Sequence, residues 1–168
     1  MKFRMISLIA FLFIVAVSTP AQDVAGKLEK ASLVGLSRVS VVVTTTPQAE
    51  QDGLTSDYIK TEVEARLRTA GIKVIEKAEW TVDDGILSIT ISALPIEKLP
   101  LYACSFTVDL KQTVIPLRDR NNRMMGATWQ AGGIAAFGRP QFKEGAKRNT
   151  IAFVDSFISD YKAANPGK

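Results

Sequence analysis

Between Leu36 and Ile75 the chain spells a strand, a capped helix and a second strand joined by short links. No other passage constrains the fold as much. Val39, Val41, Val42 and Val43 precede three threonines. This β-branched stretch predicts a strand over Leu36–Thr46, buried on both faces at its centre. Pro47 to Gly53 reads as a loop. Thr55 is then placed to cap a helix, with Leu54 able to staple onto Ile59. Ile59, Val63, Leu67 and Ala70 recur at helical spacing on one face. Glu62–Arg66 and Glu64–Arg68 are i,i+4 pairs with the acid N-terminal, the favourable order. Gly71 suits a left-handed cap, and Ile72 supplies the apolar residue that usually follows it. Ile72, Val74 and Ile75 open the second strand. A strand–helix–strand unit this compact makes a right-handed crossover, so its two strands should be parallel in one sheet.

Downstream the apolar period changes to two. Asp83-Asp84-Gly85 reads as a turn, Asp-Gly being a strong hairpin dipeptide. Leu87, Ile89, Ile91 and Ala93 alternate with Ser88, Thr90 and Ser92, as in a half-buried strand. Cys104, Phe106, Val108, Leu110 and Val114 alternate with polar residues in the same way. Asn121-Asn122 marks a polar hairpin turn. Met125, Ala127, Trp129, Ala131, Ala135 and Phe137 share the odd positions of a last long strand, unless Gly132-Gly133 inserts a bulge. Over residues 142–163 Ala146, Thr150, Phe153, Val154, Phe157, Ile158 and Tyr161 form the apolar stripe of a second helix. The expected fold class is therefore α+β. A mixed sheet in the order β-α-β-β-β-β-α carries two amphipathic helices on one face and leaves the Ser/Thr-rich face wet.

The N-terminus reads as an export signal. Lys2 and Arg4 give a basic start, Ile6–Val17 is apolar apart from Ser7, and Ser18-Thr19-Pro20-Ala21 ends in small residues around a helix breaker. The apolar run is shorter than the roughly 20 residues a membrane span needs. The expected organisation is a cleavable signal over 1–21, a linker or frayed helix over 22–35, and one α+β domain over 36–165. The expected location is the periplasm or the extracellular space, with no transmembrane span once the signal is removed. Losing Lys2 and Arg4 leaves 19 bases against 17 acids. The basicity of the whole chain is thus partly the leader's, and nucleic acid is not the expected partner. Cys104 is the lone cysteine, so no intramolecular disulfide can form. The chain has no histidine. That removes the commonest general base and metal ligand, and every Ser/His or Cys/His pair.

Gly53-Leu54-Thr55, Thr61-Glu62-Val63-Glu64, Arg66-Leu67-Arg68 and Ala70-Gly71-Ile72-Lys73-Val74 resemble a group of uncharacterised secreted bacterial proteins. The similarity runs from Leu33 to about Asn165 and includes Phe157-Ile158-Ser159-Asp160-Tyr161. More loosely, the element order is similar to small α+β domains of bacterial envelope assembly proteins, such as the curli secretion lipoprotein and the N-terminal domain of the Tol-Pal propeller protein. That likeness is one of fold, and no functional residue carries over from it.

Several features were weighed as sites. Asp83-Asp84 suits a turn better than a metal or acid/base pair, because adjacent residues there point apart. Gly126, Gly132, Gly133 and Gly138 lack the Gly-Lys-Ser/Thr and the strand–Gly–helix order of a phosphate loop. They suit a strand that a helix approaches closely. Cys104 is in phase with Phe106 and Val108, as a buried inert thiol would be. Residues 48–84 carry nine acids and five bases, whereas 111–148 carry eight bases and two acids. The basic set includes Arg118, Arg120 and Arg123 at a hairpin tip, and Arg139, Lys143, Lys147 and Arg148 at the start of the last helix. A strand of about 14 residues would hold these groups roughly 46 Å apart. They are candidate contacts for an anionic glycan, a lipid headgroup or an acidic partner.

The segment Pro95–Leu101 is the remaining candidate. It reads as a hairpin loop stiffened by two prolines, and it carries Ile96, Leu99 and Leu101. These residues have two possible homes. They fold back over the sheet end, which is the favoured arrangement, or they face outward as a partner or membrane contact. No catalytic, cofactor or metal constellation is legible. The expected function is an exported, non-catalytic envelope protein, a binding, assembly or accessory module for an envelope protein or polymer. The alternative is a secreted carboxylate-based hydrolase acting on an envelope glycan, because carboxylate pairs need no histidine.

Overall fold

In the computed structural model of the protein the described residues are 20–167. The expected export signal lies outside them except for Pro20 and Ala21. The architecture is the α+β arrangement read from the sequence. Strands β1 (Arg38–Thr45), β2 (Lys73–Val74), β3 (Gly85–Ile96), β4 (Leu101–Val114) and β5 (Met124–Gly138) form one sheet in the order β2-β1-β3-β4-β5. Helices α1 (Pro20–Ala31), α2 (Pro47–Gln51), α3 (Ser56–Thr69) and α4 (Phe142–Ala164) complete it.

The crossover unit forms as its signals dictate. Thr55 Oγ1 accepts from the Tyr58 amide at 3.2 Å, and Gly71 takes φ +86°, which closes α3 at both ends. β1 and β2 are parallel. One of the two expected helical ion pairs is present, Arg68 to Glu64 at 2.9 Å. Arg66 instead reaches α4 and donates to both carboxylate oxygens of Asp155, at 2.7 and 2.8 Å. A bidentate pair of this kind fixes one helix against the other better than a pair within one helix would.

The core lies between the sheet and helices α3 and α4. Val39, Val41, Leu87, Ile89, Ile91, Phe106, Val108, Leu110 and Trp129 are buried from the sheet, and Ile59, Val63, Leu67, Val154, Phe157 and Tyr161 from the helices. Cys104 is among them at 1 % exposure, and burial pushes its thiol pKa up to about 11. The Asp84-Gly85 turn does not close a hairpin, because β3 runs parallel to β1. Gly85 is needed for closeness: a Cβ there would lie 2.7 Å from Cδ1 of Leu110.

Two local expectations are corrected, and of the linker or frayed helix expected over 22–35 the helix is the form present. Residues 22–35 are helical to Ala31, and the turn after them buries Leu33 completely. Part of the presumed loop 47–53 is α2, started by Pro47 at its first position. The bulge lies at Thr128, where the register steps from Leu110↔Trp129 to Lys111↔Ala127, while Gly132 and Gly133 pair regularly with Thr107 and Phe106. The extra residue puts Ala127 and Met125 out of phase with Trp129, and both are exposed.

Candidate functional site

β5 is the long edge of the sheet. At its start the edge is covered: Ser32 Oγ donates to the Thr128 carbonyl at 3.0 Å, and Lys30 of α1 pairs with Asp160 of α4 at 3.0 Å. Asp160 also accepts from the Trp129 indole at 3.1 Å. From Gln130 to Phe137 no described residue outside the sheet hydrogen-bonds to the strand's backbone. This stretch, Gln130-Ala131-Gly132-Gly133-Ile134-Ala135-Ala136-Phe137, carries no charge. It is held tightly to β4, since a Cβ on Gly132 would lie 2.3 Å from the Phe106 carbonyl oxygen.

Beside this edge an apolar patch lies on the face of the sheet away from α3 and α4. The register sets Leu94, Ala103 and Ala136 in one row across β3, β4 and β5. Ile134 heads the row on one side, and Ile96 and Leu101 lie on the other. Ile134 is 87 % and Leu94 67 % exposed. Of the residues the sequence singled out, Ile96 and Leu99 face solvent and Leu101 is half-buried, so the segment does not fold back over the sheet end. The loop is also shorter than expected, because the strands continue through Pro95 and Ile96. Sequence reading missed Leu94 and Ile134, the two most exposed members of the patch. The signal was present: Leu94 follows Ser88, Thr90 and Ser92 in phase, and Ile134 lies in phase between Gly132 and Ala136.

The two basic groups lie at opposite ends of β4 and β5. At the patch end Arg139, Lys143 and Lys147 are engaged, whereas Arg148 is exposed and takes part in no ion pair among the described residues. Lys143 lies 4.5 Å from the Tyr58 ring centre, Lys147 lies 2.8 Å from Glu144, and Arg139 lies 5.9 Å from the Tyr102 ring centre. The pair with Glu144, followed by Tyr58, raises the Lys147 pKa and lowers that of Glu144. At the other end Arg118, Arg120 and Arg123 are exposed and take part in no ion pair among the described residues.

Three carboxylates, Asp84, Asp52 and Glu50, are held by contacts within the fold. Burial alone would raise Asp84, but Arg38 at 2.7 Å, followed by the amide and hydroxyl of Thr81, holds it below the usual range. Asp52 is lowered by the Tyr102 hydroxyl and then Gln48, and Glu50 by the hydroxyls of Thr45 and Ser56. A glycosidase's general acid needs a shift in the opposite direction.

No protein-family model matches the sequence, and no curated protein is significantly similar to it. Solved structures with a related arrangement exist. A PelC dodecamer from Paraburkholderia phytofirmans is 14 % identical, with 74 % of this chain and 88 % of that chain covered and a TM-score of 0.41. A hypothetical protein from Chlamydia trachomatis is 9 % identical, with 77 % and 99 % covered and a TM-score of 0.45. A minor lipoprotein from Acinetobacter baumannii is 12 % identical, with 78 % and 92 % covered and a TM-score of 0.37. No described helix is long and apolar enough to cross a membrane.

Proposed function

We propose that the chain is an exported, non-catalytic binding or assembly module of the bacterial envelope, and that it engages its partner by strand addition along β5. The observation that carries this reading is the uncharged, unpaired edge from Gln130 to Phe137 beside the patch of Leu94, Ile96 and Ile134. Proteins normally blunt a long edge with charge, proline or a covering element. Here the start of the edge is covered by α1 and Ser32, and no described residue outside the sheet hydrogen-bonds to the backbone of the uncharged remainder. Main-chain groups of such an edge supply affinity, and alternate side chains supply selectivity. The apolar row then adds area that water solvates poorly.

The test is site-specific photo-crosslinking in the producing cell. A photoreactive residue at Ala136 is compared with one at Thr44, which is exposed on the same face but away from β5. A discrete adduct from position 136, absent from 44 and lost in Leu94→Ser/Ile134→Ser, supports the reading. Equal labelling at both positions, or an adduct that survives the double substitution, refutes it.

A further inference from the structure

The connection between β4 and β5 pairs cations with bulky apolar side chains at a projecting tip. Residues 115–125 read Ile-Pro-Leu-Arg-Asp-Arg-Asn-Asn-Arg-Met-Met. Leu117 is 88 %, Met124 52 %, Ile115 49 % and Met125 42 % exposed. The tip is shaped by its own turns. The Asp119 amide donates to the Pro116 carbonyl at 3.1 Å, the Asn122 amide to the Asp119 carbonyl at 3.3 Å, and the Asn121 amide to Asp119 Oδ1 at 3.1 Å. Asp119, the one acid in the segment, thus serves the turn, while Arg118, Arg120 and Arg123 carry its net positive charge.

We propose that this tip docks the protein onto an anionic phospholipid surface. Three arginines complement a negatively charged headgroup layer, and their long stems let the guanidinium groups remain at headgroup depth. Leu117, Met124 and Ile115 then reach the acyl boundary, the division of labour found in interfacial membrane segments. The shape also argues for a lipid occupant. Residues 117–125 are all exposed and Leu117 stands almost fully free, so the tip suits a deformable layer better than the fixed surface of an acidic protein. Proline at 116 and the two turns limit the entropy lost on docking. The inference does not rest on strand addition, because the tip and the free edge segment are at opposite ends of β5.

The experiment places a reporter at the tip of the protein as recovered from cells. Cys104 is buried, so Leu117→Cys offers a selective thiol for an environment-sensitive fluorophore. Vesicles of phosphatidylglycerol and phosphatidylcholine in equal parts should raise and blue-shift its emission, and vesicles of phosphatidylcholine alone should not. Reversing the charges with Arg118→Glu, Arg120→Glu and Arg123→Glu should weaken the anionic-vesicle response by more than about 100-fold, since the lost attraction alone is roughly fivefold per arginine. Should that variant fail to fold, Met124→Ser with Ile115→Ser, read by the same fluorophore, should weaken it with the charges intact. The local reporter leaves any contribution of the apolar run at 6–17 out of the reading. A response to neutral vesicles of equal size, or one unchanged by charge reversal, would overturn the proposal. So would a response that rises with protein concentration in the absence of vesicles, because the tip would then be meeting a second copy.

Discussion

The two faces of the sheet are made from the same strands, yet they obey different rules. On the face toward α3 and α4 Val39, Val41, Leu87, Ile89, Ile91, Phe106, Val108, Leu110 and Trp129 are all buried. On the other face Ser88, Ser92 and Thr107 are half-buried and Thr90 and Ser105 are exposed; Val42 and Ile86 are half-buried there, while the most exposed large apolar residues, Leu94 and Ile134, lie near one end. Alternation divides residues between faces, but it buries them only where a second layer lies above. An apolar residue on the covered face therefore contributes stability. One on the open face remains available to a partner.

The strongest way to break that contrast is to remove a covered residue. Leu67 is fully buried in the last turn of α3. Leu67→Ala should cost about 2–5 kcal/mol in urea unfolding, the range for a buried leucine whose site cannot collapse. A loss below about 1 kcal/mol would mean that α3 is not a core layer.

The next effect tests an exception on the open face. Asp84 is 2 % exposed and tied to Arg38 through two hydrogen bonds of 2.7 Å. Asp84→Asn should cost about 2–3 kcal/mol, because it leaves guanidinium donors short of a charged acceptor. The carboxyl pKa is lowered in the folded state. Its contribution is therefore complete above the ordinary carboxylate range and is lost as pH falls through the lowered value. Stability of Asp84→Asn measured against pH should show a shallower acid limb than wild type. An identical limb would remove Asp84 from the acid response.

These cases also show what the sequence could reveal. The crossover unit was legible because cap, stripe and C-terminal glycine agree within twenty residues. The buried Cys104 was legible from phase alone. The extra length of β3 and β4 was not, because prolines at 95 and 100 read as a loop frame. Pro95 is tolerated because β1 pairs with β3 only as far as Thr45↔Ile91. Its missing amide therefore faces no neighbouring strand. The phase of β5 before Trp129 was hidden by the bulge at Thr128, which has no glycine to mark it. The two basic groups look alike in sequence. Only the packing of Tyr58 and Glu144 beside Lys143 and Lys147 shows that these two are engaged while the arginines of the tip take part in no ion pair among the described residues.

A smaller effect probes how closely the covered face fits. A Cβ on Gly145 of α4 would sit 2.5 Å from the Phe137 ring. Gly145→Ala gains up to about 1 kcal/mol in helix propensity but forces an overpacked contact that costs about 1–3 kcal/mol. Phe137 is only partly buried and its ring can give. The net loss should be about 1 kcal/mol by urea denaturation. A net gain would show that α4 stands off β5 more than the contact implies.

The smallest expected effect is on the open face. Leu94→Ser with Ile134→Ser changes two large apolar side chains, the same chemistry that is so costly at Leu67. Their exposures of 67 % and 87 % mean that little of their surface leaves water on folding. The hydrophobic stabilisation scales with the area removed from water, so most of it is missing at these sites. Serine also has a lower strand preference than isoleucine, but on a half-wet face that difference is small. Stability should therefore stay within about 0.5 kcal/mol of wild type, as for most surface substitutions. Denaturation should share the wild-type midpoint and slope, while the crosslink from position 136 disappears. A loss above about 2 kcal/mol would place these residues under cover contributed by the chain itself, and the patch would cease to be a docking surface. Unchanged stability with a lost crosslink would separate binding from folding at residues that differ from the core only in what lies above them.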